Sequence, residues 1–465
     1  MSAVKNEAME GLDKKALSTF DLLVAGMSYM APGFSLFFTT ALVAGAVGIH
    51  MPLIYIFAGL GVICTGAALA EFSKLAPSAG SLQVFLTRGY GLTISTAGGL
   101  VLLFGYLCLQ GGISALFGGW TSHLIEMWTG IHIHWLVLTI VGVLICTWLM
   151  VRGVAISIKA TLVLFLIEFA LVFLISVAVF FYGGKTGLSA EPFSLSAFSE
   201  LPVTSIAIGM VLATFSFVGF EGAISFAEET QDPGKAMPVA VIGGVVGIAV
   251  LYVIAMYAVA VGFGTDQMAT VAGDPEPIAT LAGLYASPLK PFLELAIWTS
   301  IVANMMAAGN ANARILFNMA RENLLPASFR EVHAKNKTPH FAIIGFMLLT
   351  LLPAAAGWAA GWDYLTTFGN IIGLGALLAL LVYMAATIAL PVYISKLNGS
   401  VKHRPFVHWV VPGIGAAVWL IPLWGALQPG QAFPFNVYPW IAAALIVGSV
   451  LVARFLQRSP PVTAN

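Results

Sequence analysis

Charge is what this sequence has least of. Only 9% of its 465 residues are Asp, Glu, Lys or Arg, against roughly 25% in soluble domains. With 59% hydrophobic residues, a water-soluble core of this length would have almost nothing polar to cover it. Lipid is the solvent this composition fits. The formal net charge is zero, so no bulk charge invites nucleic acid or another highly charged partner. Cysteine is nearly absent. Cys64, Cys108 and Cys146 all fall inside apolar runs, without metal-ligand spacing or a loop position suited to a disulfide. They read as small packing residues. No P-loop, His-Glu-x-x-His or Gly-x-Ser-x-Gly occurs, so neither nucleotide hydrolysis by that route nor an intramembrane hydrolase is expected. The eight histidines lie in or near predicted loops, and His132-Ile133-His134 lacks a third ligand in range. No metal or cofactor is expected, and the chain is not read as an enzyme.

What is present is a succession of apolar runs long enough to cross a bilayer. They lie near 18–47, 52–75, 92–120, 133–151, 158–182, 203–228, 237–262, 290–320, 339–357, 364–392, 407–428 and 435–456. The expected architecture is therefore an all-α membrane protein of about twelve transmembrane helices. An even number places both termini on one side. All but two of the 20 Lys and Arg residues then share that side; only Lys185 and Lys290 fall opposite. One missed span would scramble this segregation, so the positive-inside rule predicts both termini in the cytoplasm and residence in the cytoplasmic (inner) membrane. Residues 1–18 are polar, with no apolar core of a signal peptide, and the tail after 458 reads as disordered. Residues 277–286 and 81–88 are predicted as short helices over the outer and inner faces.

Two spans, five apart, have helix-breaking centres. The first carries Tyr29-Met30-Ala31-Pro32-Gly33-Phe34-Ser35; the sixth carries Phe215-Ser216-Phe217-Val218-Gly219-Phe220-Glu221-Gly222. Proline removes a donor, and glycine relaxes the backbone. Breaks at mid-membrane free N–H and C=O groups that cost several kcal/mol each if left unsatisfied in hydrocarbon. A ligand with an anion and a cation satisfies them, because helix N-termini attract carboxylates and free carbonyls attract ammonium. Paired broken helices at corresponding positions of two halves mark the midplane site of a transporter. Tyr29, Met30, Ala31, Pro32, Gly33, Phe34, Ser35, Phe215, Ser216, Val218, Gly219 and Glu221 are thus candidate substrate contacts. Gln110 joins them as the one strongly polar mid-span side chain of the glycine-rich third span.

Carboxyls at bilayer depth are functional candidates. Glu168 lies about 13 Å along its helix from Lys159 at ~1.5 Å per residue, among apolar neighbours. It reads either as a proton carrier or as a carboxyl that stays neutral and bonds a neighbouring helix. Glu221 has two readings as well: substrate contact and proton carrier, or a bond joining the broken helix to the eighth span through Asn304, Asn310 or Asn312. Glu228, Glu229 and Asp232 read as an inner gate or a solvated face. Tyr106, Trp298 and Tyr383 lie deeper than the other aromatics; they read as pocket-lining or as packing residues, with packing favoured.

The sixth-span motif, followed by Glu228-Glu229-Thr230-Gln231-Asp232-Pro233 and Met237-Pro238, resembles the sixth span of the amino acid–polyamine–organocation superfamily. Asn312-Ala313-Arg314 running to Arg321-Glu322-Asn323-Leu324-Leu325-Pro326, Asp21 and Gly26, and Ala79-Gly80-Ser81 fit the same family. The resemblance covers nearly the whole chain. It implies a five-plus-five inverted repeat (18–182 and 203–392) with two further helices (407–456), and a substrate site between spans one, three, six, eight and ten. Phe215 matches the aromatic that lids the substrate, and Glu221 the carboxylate of the unwound segment. Two departures stand out. Pro32 and Phe34 occupy positions where the family usually has glycines, and Glu168 falls where many proton-coupled members have lysine. The function this implies is a secondary transporter that imports an amino acid or related small amine with protons. An exchanger of such solutes is the runner-up, and a membrane nutrient sensor is the alternative of another class.

Overall fold

A computed structural model describes residues 17–75, 81–230, 232–397, 404–431 and 433–458. The N-terminal segment before residue 17, the Ala79-Gly80 pair, the tail after 458 and the side chains of Ser81, Lys159, Glu228 and Glu229 lie outside the described residues. The described chain is helical. The first span is two helices, α1 (Thr19–Met30) and α2 (Pro32–Val47), followed by α3 (Met51–Leu75). Next come a short helix α4 (Ser81–Tyr90), then α5 (Leu92–Thr129), α6 (Trp135–Arg152) and α7 (Val154–Phe181). The second half begins with α8 (Val203–Phe215), a 3-10 segment (Phe220–Glu229), α9 (Pro233–Phe263) and a short α10 (Pro277–Tyr285). It continues through α11 (Lys290–Arg321), α12 (His340–Leu349), α13 (Leu351–Ala359) and α14 (Tyr364–Lys396). Two helices, α15 (Val411–Ala426) and α16 (Tyr438–Arg458), close the chain.

Among the described residues, 11 stretches are long and apolar enough to span a bilayer. The first, Thr19–Leu75, has 57 residues, about 85 Å of helix at ~1.5 Å per residue, far more than one ~30 Å crossing. Gly48, at φ 57°, divides it between α2 and α3. The 11 stretches therefore make the twelve expected crossings. Long apolar side chains on α6 and α7, such as Leu144, Ile145, Trp148, Leu166 and Ile167, stand exposed, which suits a surface wetted by lipid rather than water.

α5 is the central strut. Its glycines exist for backbone contact: a Cβ on Gly375 of α14 would lie 2.8 Å from the Gly105 carbonyl oxygen, and small residues permit such approach in membranes. The two short helices predicted over the faces are present as α4 and α10. α4 is tied down by Tyr90, whose hydroxyl donates to the Ala385 carbonyl at 3.0 Å, and by Lys396, whose Nζ donates to the Gly89 carbonyl at 2.5 Å. Gln83 of α4 donates from Nε2 to Glu322 at the end of α11, at 2.8 Å.

Candidate functional site

The first break is a single residue. Ala31 adopts φ 42°, ψ 70°, a left-handed conformation that costs a non-glycine residue about 1–3 kcal/mol and persists where its surroundings fix it. Its N–H closes α1 on the carbonyls of Met27 and Ser28, both at 3.2 Å. α2 then starts with Pro32, which has no N–H to leave unsatisfied. The Gly33 N–H donates to Oε1 of Glu168, which reaches across from α7. Glu168 is 3% exposed. Glycine is required at 33, since a Cβ there would lie 2.6 Å from Glu168 Cδ. On the other side of the break, Asn304 of α11 donates from Nδ2 to the Tyr29 carbonyl at 2.6 Å. The orphan groups that a helix end leaves are thus met by side chains from α7 and α11.

The second break is longer. α8 ends at Phe215, the chain turns through Ser216 and Gly219 (φ 104°), and a 3-10 segment follows from Phe220. In a 3-10 helix residues i and i+3 eclipse, so Gly219 and Gly222 share one face. Tyr29 lies across it: a Cβ on Gly219 would stand 2.7 Å from the Tyr29 ring, and one on Gly222 would overlap it. The Tyr29 hydroxyl donates to Asn312 Oδ1 at 2.5 Å. The two broken helices therefore meet through this one aromatic ring.

Glu221 takes neither Asn304 nor Asn312 as its partner. Tyr106 of α5 and Tyr383 of α14 both donate to its Oε1, the latter at 2.8 Å. Asn304 and Asn312 are committed to Tyr29 instead, because Tyr29 stands between α11 and the second break. The other carboxylate oxygen, Oε2, is buried without a side-chain or backbone partner. Tyr106 and Tyr383, for which packing is the favoured of two readings from sequence, are thus the groups that position this carboxylate.

Two cavities flank Tyr29, Tyr106 and Asn312, which line both. The central one, a narrow space of about 30 Å³, is lined also by Met30, Phe34, Ser35, Leu109, Gln110, Ile113, Phe215, Val218, Asn304 and Ala308. The inner one, also about 30 Å³, adds Leu82, Gln83, Gly99, Leu102, Glu221, Gly222, Arg314 and Asn318. Along α5 the inner cavity occupies the earlier residues, so it faces the side on which α4 lies. Toward the opposite side the central cavity is closed by aromatic rings. Phe368 meets Phe34, Phe38 and Phe215 with ring centres 6.5, 6.1 and 6.1 Å apart, and Trp120 stacks behind at 5.7 Å from Phe38. Phe34, one of the departures from the family pattern, is part of this plug. A third, apolar cavity of about 650 Å³ lies beyond Phe215 between α2, α8, α14, α15 and α16.

Seven of the predicted contacts, Tyr29, Met30, Phe34, Ser35, Gln110, Phe215 and Val218, come together around the central cavity, and Glu221 lines its neighbour. Five do not line either. Ala31, Pro32 and Gly33 form the backbone of the first break, where Glu168 covers them. Gly219 is packed under Tyr29. Ser216 turns away into a hydroxyl cluster with Tyr55 and Thr39, at 3.1 and 3.4 Å. Glu168 itself is not in a cavity wall; its Oε1 accepts the Gly33 N–H at the start of α2. Asn370 of α14 lines the third cavity. Gln83 and Phe368 gave no sequence signal, since an isolated polar residue on a surface helix and a Phe in an apolar span are ordinary.

Twelve crossings, two breaks five spans apart and a buried carboxylate between them define a membrane transporter of the broken-helix type. Residues 17–451 match the amino acid permease family model, and the chain belongs to that family. It is similar to a methylthioribose transporter of Bacillus subtilis, 28% identical over 452 residues that span 93% of this chain and 92% of the relative. A branched-chain amino acid permease of the same organism is 23% identical, over 81% of both chains. A low-affinity putrescine importer of Escherichia coli is 26% identical, over 96% of both.

Proposed function

We propose that this protein imports an amino acid or a related small amine across the cytoplasmic membrane, driven by protons, with both termini in the cytoplasm. The observation that carries the coupling is the bond between Glu168 and the Gly33 N–H. It puts a titratable group on the hinge of the first span. Ionised, Glu168 makes a charge-assisted bond, about twice as strong as a neutral one, and clamps α7 to the start of α2. A proton arriving from outside removes the charge and loosens that clamp, so α1 and α2 can rock against the rest of the bundle. Loss of the proton inside restores it. Substrate sits in the central cavity beneath Phe215, held by Tyr29, Gln110 and the polar edge toward Glu221, and leaves through the inner cavity. The names of the relatives, which cover amino acids, a polyamine and a thiosugar, support a small polar solute. The two repeats are taken as 18–182 and 203–392, with 407–456 outside them.

Proteoliposomes test this reading. Uptake should rise when the outside is acidified, and Glu168→Gln should retain downhill uptake while losing that response. A Glu168→Gln variant still driven by the gradient removes the coupling role. An exchanger would need internal solute, so uptake into empty vesicles on a proton gradient alone separates the two. A reporter active only outside the cytoplasm, fused after Arg458, should stay silent.

A further inference from the structure

One face of α6 runs as a single stripe from apolar to basic. Val137, Val141, Leu144 and Trp148 recur at spacings of three and four, so they share one side of the helix, and all four stand exposed. Arg152 ends the stripe one turn further on, and its guanidinium carbon lies 3.8 Å from the centre of the Trp148 ring. From Val137 to Trp148 is about 16 Å at ~1.5 Å per residue, close to one leaflet, or half of a hydrocarbon layer about 30 Å thick. A tryptophan at the end of a span sits at headgroup level. The cation–π contact holds Arg152 at that same depth. A guanidinium whose face lies on a ring keeps its N–H donors pointing outward from the edge.

A basic turn is fastened beside it. Asn336 donates from Nδ2 to the Val151 carbonyl at 2.9 Å, and Thr338 donates from Oγ1 to the same oxygen at 3.0 Å. The turn is closed on itself. The His333 N–H donates to the Thr338 carbonyl at 2.8 Å, and the N–H groups of Lys335 and Asn336 donate to His333 Nδ1 at 3.3 and 3.1 Å. Lys337 holds a left-handed φ of 54°, which persists where the surroundings fix it. With the Asn336 amide turned to Val151, Lys335 and Lys337 stand exposed on either side of it, next to the exposed Arg152. Glu331, the carboxylate of this loop, precedes the closed turn and is exposed. Among the described residues, Arg152, Lys335 and Lys337 pair with no carboxylate. α12, which packs against α6, adds Phe341 and Leu348 to the exposed apolar surface.

We infer that this edge binds an anionic phospholipid of the leaflet it faces: Arg152, Lys335 and Lys337 receive the headgroup phosphate, and an acyl chain lies along the α6 stripe. Charge complementarity chooses the class, since basic clusters at the ends of membrane helices take acidic headgroups and a guanidinium meets phosphate oxygens two at a time. The apolar stripe chooses a lipid over a free anion, because it continues the cations along the same side of one helix for the depth of a leaflet. The site lies outside both cavities and assumes nothing about the transported solute.

Thermal shift of purified, full-length protein in detergent tests it, with phosphatidylglycerol titrated against phosphatidylcholine of the same chains. A ligand stabilises in proportion to ln(1 + [L]/Kd). Each basic side chain near an anionic lipid surface contributes about fivefold in affinity. Phosphatidylglycerol should therefore bind with an apparent Kd about tenfold or more below that of phosphatidylcholine. Equal stabilisation by the two lipids overturns the inference. Inorganic phosphate, the charge without the chains, should not stabilise at the same concentration; phosphate that stabilises as well as phosphatidylglycerol overturns the choice of a lipid. Arg152→Gln combined with Lys335→Gln and Lys337→Gln should weaken phosphatidylglycerol by about a hundredfold and leave phosphatidylcholine unchanged. Arg88→Gln combined with Lys235→Gln and Arg454→Gln removes the same charge from α4, α9 and α16, and should change the apparent Kd by less than about threefold. Equal weakening by the two triple variants overturns the assignment to this edge. Should the first triple variant not fold, Arg152→Gln alone is read in the same way: a loss of about fivefold is expected, and an unchanged Kd overturns the site.

Discussion

The two broken helices solve the same physical problem in opposite ways. At the first break the chain satisfies its own backbone: Asn304 takes the Tyr29 carbonyl and Glu168 takes the Gly33 N–H. The carboxylate is used up as a cap. At the second break the carboxylate is held by two tyrosines on one oxygen, and its other oxygen is left buried without a partner. One acid closes a break; the other is presented beside one. The lesson is that a buried carboxyl in a membrane helix takes its role from which of its oxygens the fold has already used. Its depth alone does not decide that.

Substitutions at each break sharpen the contrast. The largest effect is expected from Glu221→Gln, which removes the charge while keeping the shape. A hydrogen bond to a charged group contributes about 1.5–3 kcal/mol, so uptake at low substrate concentration should fall about ten- to hundredfold, with roughly tenfold for every 1.4 kcal/mol. A fall of less than about threefold would remove Glu221 from the binding site. Next is Gly222→Ala, whose added methyl meets the Tyr29 ring. Overpacking costs about 1–3 kcal/mol, and a lowered melting temperature in detergent should accompany lost transport. Glu168→Gln should change little in the amount carried downhill, but uptake should no longer respond to outside pH between 5 and 8 (an interval chosen for the assay). A variant that instead loses binding would place Glu168 with Glu221 and dissolve the contrast. The smallest effect belongs to Tyr383→Phe, which removes one of two donors to the same oxygen. About 1 kcal/mol corresponds to roughly fivefold in KM, and adding Tyr106→Phe should cost more than the sum, as coupled residues do.

Much of this was legible before any coordinates. Pro32-Gly33 and Gly219 announce breaks because their backbone chemistry is local. Glu168 stands out because a lone acid in an apolar run needs a reason. The partners of Glu221 were not legible. Tyr106 and Tyr383 lie 115 and 162 residues away, and each looks like an interfacial aromatic that happens to fall deep. Asn304 and Asn312 of α11 stand out in the sequence, but their partner is Tyr29, and nothing in a sequence says that the Tyr29 ring stands between α11 and the second break. The glycines of the sixth span do loosen the chain, Gly219 at φ 104°, and with Gly222 they also give that ring a flat bed.

The sequence by itself determined the solvent, the twelve crossings and the places where helices must break. These follow from composition and from backbone chemistry that acts within a few residues. Tertiary structure decided what each break does. Hydrogen bonds between spans are set by packing across the bundle, and packing chose which carboxylate oxygen was used and which was left for a ligand.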